Sequence, residues 1–168
     1  MRILGIDPGT VRMGYGLIEA DADQVVMVDC GVVTASGRIS LAERLHRLYL
    51  GLMELASRYL PEEVAVEEPF VADNVRSAMA IGHAQAVAML VAAKKKLPIY
   101  SYSPAKVKQM VADYGGSDKR QVQEMVRLHL NLSAVPEPTD AADALAVALC
   151  HAQERRLARL MTKSAEGQ

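Results

Sequence analysis

The chain opens with a strand that cannot continue. Ile3-Leu4-Gly5-Ile6 is an apolar run closed by Asp7-Pro8-Gly9-Thr10, and such a run, stopped at once by Asp, Pro and Gly, reads as a core strand whose last residue leaves the sheet in a tight turn. Asp7 is thereby fixed by the core yet offered to solvent. Gly14 and Gly16 stand on either side of Tyr15 and are followed by Leu17-Ile18, which predicts a second strand paired back on the first. A carboxylate on rigid backbone is a good metal ligand. The chain supplies further acids able to join it in Glu67, Glu68, Asp140 and Asp143.

The remaining elements follow from periodicity. Residues 24–35 are rich in Val and Thr and read as a third strand, completing an antiparallel meander. Ser40 and Glu43 have the form of a capping box, and Leu41, Leu45, Leu48, Leu52 and Leu55 recur at helical spacing to a stop near Tyr59. Val64-Ala65-Val66 is a short buried strand that again ends on acid and proline, at Glu67-Glu68-Pro69. Asn74 is placed to cap a helix reaching about Lys96, apolar on more than one face and so expected to be covered on two sides, with a second copy of the chain as one cover. Residues 98–102 form another strand, and Ser103-Pro104 starts a short helix. Ser117 is placed to cap the next helix, and an alanine-rich helix begins at Asp140. The expected architecture is α/β, a mixed five-stranded sheet flanked by helices.

A chain of 168 residues has the size of one domain, set at 1–155, with 156–168 read as a polar, frayed tail. The net charge of −1 excludes any argument for a nucleic-acid partner from bulk charge. Basic residues do cluster locally, at Lys94-Lys95-Lys96, at Lys106 and Lys108, at Lys119-Arg120 and at Arg155-Arg156, each open to reading as a solvated helix end or a phosphate contact. Cys30 and Cys150 lie outside any Cys-x-x-Cys pattern and read as free thiols. No basic, apolar, small-residue leader opens the sequence and the apolar stretch 84–93 is short for a bilayer, so the expectation is cytoplasmic, without membrane attachment. His46, His83, His129 and His151 show no ligand spacing and are expected at the surface or partly buried.

Asp140 and Asp143 share one face of a helix. Helix capping and the helix dipole alone account for such a pair. Two strand ends and a helix start that converge change this balance, because carboxylates brought within a few ångströms repel unless a cation joins them. Hard oxygen donors without His or Cys suit Mg²⁺ or Mn²⁺. Four acids around two such ions, about 3.5–4 Å apart, form the clamp for in-line displacement at phosphorus. Strand alternation puts Glu67 and Glu68 on opposite faces, and only one of them faces Asp7.

Ile6-Asp7-Pro8-Gly9 with Gly14-Tyr15-Gly16, Val66-Glu67 with Phe70 and Asn74, and Asp140-Ala141-Ala142-Asp143-Ala144 together resemble the RuvC family of Holliday-junction resolvases, of the ribonuclease-H-like superfamily, from Arg2 to about His151. The resemblance implies a homodimer that binds a four-way DNA junction and makes paired symmetric nicks by two-metal hydrolysis in recombination and repair. It implies Asp7, Glu67, Asp140 and Asp143 as catalytic metal ligands, two Mg²⁺ (or Mn²⁺) ions per site, and the branch-migration proteins RuvA and RuvB as partners. It also implies DNA contacts from Phe70, Asn74, Lys108, Lys119 and the adjoining Arg120, with Phe70 stacking on an unpaired base and lysine stabilising developing charge. The helix through Met79 and Leu90 would supply the dimer interface. Three other readings compete: a related RNA-processing nuclease, the actin-like and sugar-kinase fold with its Asp-x-Gly-Thr loop, and a module that holds branched DNA without cutting it. The second needs a further domain for which the chain is too short.

Overall fold

A computed structural model describes residues 1–21, 24–69, 75–112 and 118–166. Strands β1 (Arg2–Asp7), β2 (Arg12–Ala20) and β3 (Val25–Thr34) form the meander. They are followed by helix α1 (Leu41–Tyr59), strand β4 (Glu63–Glu67), helix α2 (Val75–Lys95), strand β5 (Ile99–Tyr102) and helices α3 (Pro104–Ala112), α4 (Lys119–His129) and α5 (Thr139–Glu166). The sheet order is β3-β2-β1-β4-β5. The first three strands pair antiparallel, whereas β1–β4 and β4–β5 are parallel, so the mixed five-stranded sheet expected from the sequence is present.

Alternation along β1 and β4 divides the core. Leu4, Ile6, Val64 and Val66 pack with Leu48, Leu52 and Val87 of α1 and α2 on one face. Ile3 and Ala65 pack on the other face with Val107, Val122 and Leu145 of α3, α4 and α5. Asp7 and Glu67 stand two residues beyond Gly5 and Ala65 and so belong to the α5 face. That face is floored by glycine. A Cβ built on Gly5 would lie 2.2 Å from Ala144 O, one on Gly14 2.0 Å from Asp140 O, and one on Gly16 2.6 Å from Leu145 N. The helix lies directly on backbone, which only glycine permits at this separation.

The capping box of α1 is formed as its sequence predicts: Ser40 N donates to Glu43 Oε2 at 2.9 Å and Glu43 N to Ser40 Oγ at 3.3 Å. Ser103 likewise caps α3, accepting from Lys106 N. Three expectations are corrected. The cap of α4 is Asp118 rather than Ser117, because Asp118 and Gln121 satisfy each other's backbone N–H groups in a second capping box. Asp140 is not an N-cap, since α5 already includes Thr139 and Ala141 N donates to Pro138 O. The tail set at 156–168 is helical through Glu166, as α5 continues beyond its last buried residue, Ala152. Strong helix formers such as Arg155, Leu157 and Ala158 propagate a helix already nucleated on the sheet.

Helix α2 is long and apolar enough to cross a membrane by length and composition. Its Ala84, Val87, Ala88, Val91 and Ala92 are nevertheless buried against the α1 side of the sheet. It is a core helix of the domain.

Candidate active site

The register of β1 aligns Ile6 with Val66 of β4 and Asp7 with Gly14 of β2. Asp7 therefore has Glu67 beside it on one neighbouring strand and a glycine on the other. The missing side chain at Gly14 is what admits the start of α5, bringing the Asp140 backbone over β2 and Asp143, one turn on, toward Asp7. Three elements thus converge for a reason written into the backbone: two parallel strand ends, and a helix seated on a glycine.

Crowding acids together has the expected electrostatic result. Burial, then the charges of Asp143 and Asp140, raise the pKa of Asp7 from its ordinary value to about 6, against a smaller opposing pull from Lys119. Burial, then the charges of Asp7 and Asp143, raise Glu67 to about 7. A hydrogen bond joins this pair, favouring the ionised form of Asp7 and the protonated form of Glu67. Such a bond between two carboxyls needs one proton, which the pair on adjacent strands shares. The other two acids are balanced by cations. Lys119 Nζ of α4 lies 2.6 Å from Asp143 Oδ2, a contact that leads the causes raising the lysine's pKa. Arg12 Nε and Nη2 lie 3.1 and 2.9 Å from Asp140 Oδ2.

A cleft of about 320 Å³ is lined by Asp7, Glu67 and Asp143, by Lys108 and Lys119, and by apolar Pro104, Val107, Val122 and Ala146. Asp140 does not line it and is paired with Arg12 instead. Among the described residues no three acids are already grouped in ligating positions, which follows from the repulsion that sends Asp140 and Asp143 to basic partners. The donor set still fits a hard divalent cation. It is all carboxylate, convergent, and at present neutralised by one proton and two side-chain cations that a metal ion can replace.

The adjacent glutamates point to different sides. Glu67 faces Asp7, whereas Glu68 is exposed and its backbone N–H donates to Tyr102 O. Lys108 and Lys119, both expected as DNA contacts, line the acid cleft. Arg120 does not, since it lines a separate depression with Asp118 and Gln121. The next residue along a helix points about 100° away from Lys119, so the two cannot serve one cleft. Phe70 and Asn74 lie outside the described residues.

Two pairings, one beside the site and one behind it, escape the sequence reading. Arg12 was not singled out, because nothing local marks a basic residue at a strand start as the partner of an acid 128 positions on. His151, expected at the surface or partly buried, is fully buried. Its Nδ1 lies 2.6 Å from Tyr102 Oη and its Nε2 2.5 Å from Glu63 Oε2, with Arg155 on the other oxygen of Glu63 at 2.9 Å and the Tyr100 ring 4.5 Å away. Burial leads the causes that lower its pKa, against the pull of Glu63. A signal existed: His151 continues the helix face of Ala144 and Ala148 that packs on the sheet.

The profile of the family described as "Crossover junction endodeoxyribonuclease RuvC" matches residues 3–151. A protein of that name from Dehalococcoides mccartyi strain BAV1 is 50% identical over 163 residues, which is 97% of this chain and 98% of its own. Another from Roseiflexus sp. strain RS-1 is 52% identical over 150 residues, 89% of each chain. Among solved structures, "T. thermophilus RuvC in complex with Holliday junction substrate" superposes with a TM-score of 0.88 at 35% identity, covering 94% of this chain and 96% of that one.

Proposed function

The chain belongs to the RuvC family of crossover junction endodeoxyribonucleases, and from that premise we propose that Asp7, Glu67, Asp140 and Asp143 are its catalytic, cation-holding groups. The fold is ribonuclease-H-like and the enzyme a metal-dependent endonuclease that resolves Holliday junctions. The observation that carries the residue assignment is the meeting of Asp7, Glu67 and Asp143 with Lys108 and Lys119 in one cleft. Acids alone would repel a phosphodiester, and lysines alone would bind it without cutting.

The cation is Mg²⁺, replaceable by Mn²⁺, because the donors are hard carboxylate oxygens. Two such ions, held by Asp7, Glu67, Asp140 and Asp143, would supply an activated water and would offset the charge that develops on the leaving oxygen. The protein's part is to assemble and orient. Asp7 and Glu67 give up their shared proton as the site loads. Lys119, released from Asp143, and Lys108 stand on the cleft wall toward the phosphate, where an ammonium group offsets the added negative charge of in-line attack. Val107, Val122 and Ala146 narrow the cleft with apolar surface and limit the water around the acids. The oxygen of water bonds to phosphorus, the bond from phosphorus to the leaving oxygen breaks, and one end keeps the phosphate while the other becomes a hydroxyl.

Paired symmetric nicks need two sites. Val75, Met79, Met89 and Leu90 of α2 are exposed large apolar residues, and they form the face on which a second copy of the chain docks to make the homodimer. The nicked duplexes are ready for ligation, RuvA and RuvB are the branch-migration partners that bring the junction, and the setting is the cytoplasm. Incubating a synthetic four-way junction and a linear duplex with the protein and Mg²⁺ or Mn²⁺ tests the proposal. Paired nicks on the junction, lost in Asp7→Asn while junction binding is kept, are expected. Binding without cutting in either metal would refute it.

A further inference from the structure

Arg12 opens β2, directly after the turn that follows Asp7. It pairs with Thr34 in the ladder to β3, which fixes its backbone on that side of the strand, beyond the last β1 pairing at Gly14. Both guanidinium contacts go to one oxygen of Asp140, and the side chain is 49% exposed against 28% for Asp140. The Arg12 side chain is thus about half open to solvent while its guanidinium is on Asp140. Lys119, the partner of Asp143, already lines the cleft wall, whereas Arg12 does not. Guanidinium remains charged at every working pH, and its fork fits phosphate as well as carboxylate. A cation that takes Asp140 therefore leaves a permanent positive charge on rigid backbone beside the site, free to accept an anion.

We infer that Arg12 is an internal counter-ion that holds Asp140 away from the cation site and, once a divalent cation claims Asp140, turns to a backbone phosphate of the junction. Cation binding and junction binding are then coupled through one guanidinium. The inference rests on Asp140 being a cation ligand. Arg12 is a positioning residue in the metal-free protein and a substrate contact only in the loaded one. It competes with the metal ion before loading and favours DNA after it.

Mn²⁺ affinity of the full chain without DNA, followed by the paramagnetic resonance of free Mn²⁺, and junction affinity in EDTA and in Ca²⁺ read the two halves of this coupling. Arg12→Gln is expected to tighten Mn²⁺ binding about fivefold, the scale of a half-exposed ion pair. The same variant is expected to lose about fivefold in junction affinity in Ca²⁺, the scale of one exposed charge contact, and less than about twofold in EDTA. Arg12→Lys, which keeps the charge without the fork, falls between and serves if the glutamine variant does not fold. The gain in Mn²⁺ affinity should vanish in an Asp140→Asn background. Unchanged Mn²⁺ affinity in Arg12→Gln, with weakened binding in Asp140→Asn, overturns the inference alone. Unchanged Mn²⁺ affinity in Asp140→Asn overturns the ligand assignment beneath it. Equal loss of junction affinity in EDTA and Ca²⁺ makes Arg12 an ordinary phosphate contact and also overturns the coupling.

Discussion

Asp7 and Glu67 stand side by side at two parallel strand ends, and burial beside other acids raises the pKa of both, Glu67 to about 7 and Asp7 to about 6, so that the pair shares one proton. Both values are raised, so the metal-free folded state binds more protons than the unfolded chain between the ordinary carboxyl range and about pH 7. Stability contributed by the pair is present at low pH and declines as pH rises through that window. The decline is on the order of 3 kcal/mol if the shared proton is counted once. Thermal melts from pH 4 to 8 are expected to show it in EDTA and to lose it in Mg²⁺. A flat difference between EDTA and Mg²⁺ across that range would contradict the shared proton.

Glu67 and Glu68 separate cleanly by face. Glu67→Gln is expected to reduce junction cleavage by about 10³-fold or more, the scale of removing a group that stabilises transition-state charge. Glu68→Gln should remain within about twofold, as expected for an exposed acid away from the reacting atoms. Single-turnover cleavage of a junction distinguishes them, and equal losses in the two variants would remove the assignment.

Gly14 is constrained by space, not by backbone conformation, since among the described residues no glycine has positive φ. Gly14→Ala places a methyl group 2.0 Å from Asp140 O. Either the start of α5 lifts or β2 shifts, at about 1–3 kcal/mol for overpacking. Cleavage should fall by more than the melt implies, because the shift moves Asp140 and Asp143 from Asp7. Wild-type turnover at a temperature where the variant is folded would show that the glycine floor does not position the acids.

His151 ties α5 to the start of β4 and the end of β5 with no solvent to replace its partners. His151→Ala leaves a cavity and removes one buried partner each from Tyr102 and Glu63, a change worth about 2–4 kcal/mol. Urea unfolding should show that loss. Cleavage well below the transition should persist, because none of these groups lines the acid cleft.

The fold was legible because its signals are local. Alternation in β1 and β4, the Ser40–Glu43 box and Ser103-Pro104 each depend on a few neighbouring residues. The acids were legible because strand ends and a helix start carry them, and alternation alone restricted the choice between Glu67 and Glu68 to one. What the sequence does not carry is pairing at a distance. Arg12 with Asp140 and His151 with Glu63 are set by how α5 crosses the sheet, which in turn depends on Gly5, Gly14 and Gly16 acting together as a floor. Gly14 and Gly16 read as strand and turn residues along the chain, and their role as a seat for a helix exists only in three dimensions.

The most direct measurement is anomalous diffraction from crystals of the protein grown with Mn²⁺. The account predicts anomalous density between Asp7, Glu67, Asp140 and Asp143, with the Arg12 guanidinium turned away from Asp140. Saturating Mn²⁺ with no density among these four carboxylates, and Arg12 still on Asp140, would contradict it.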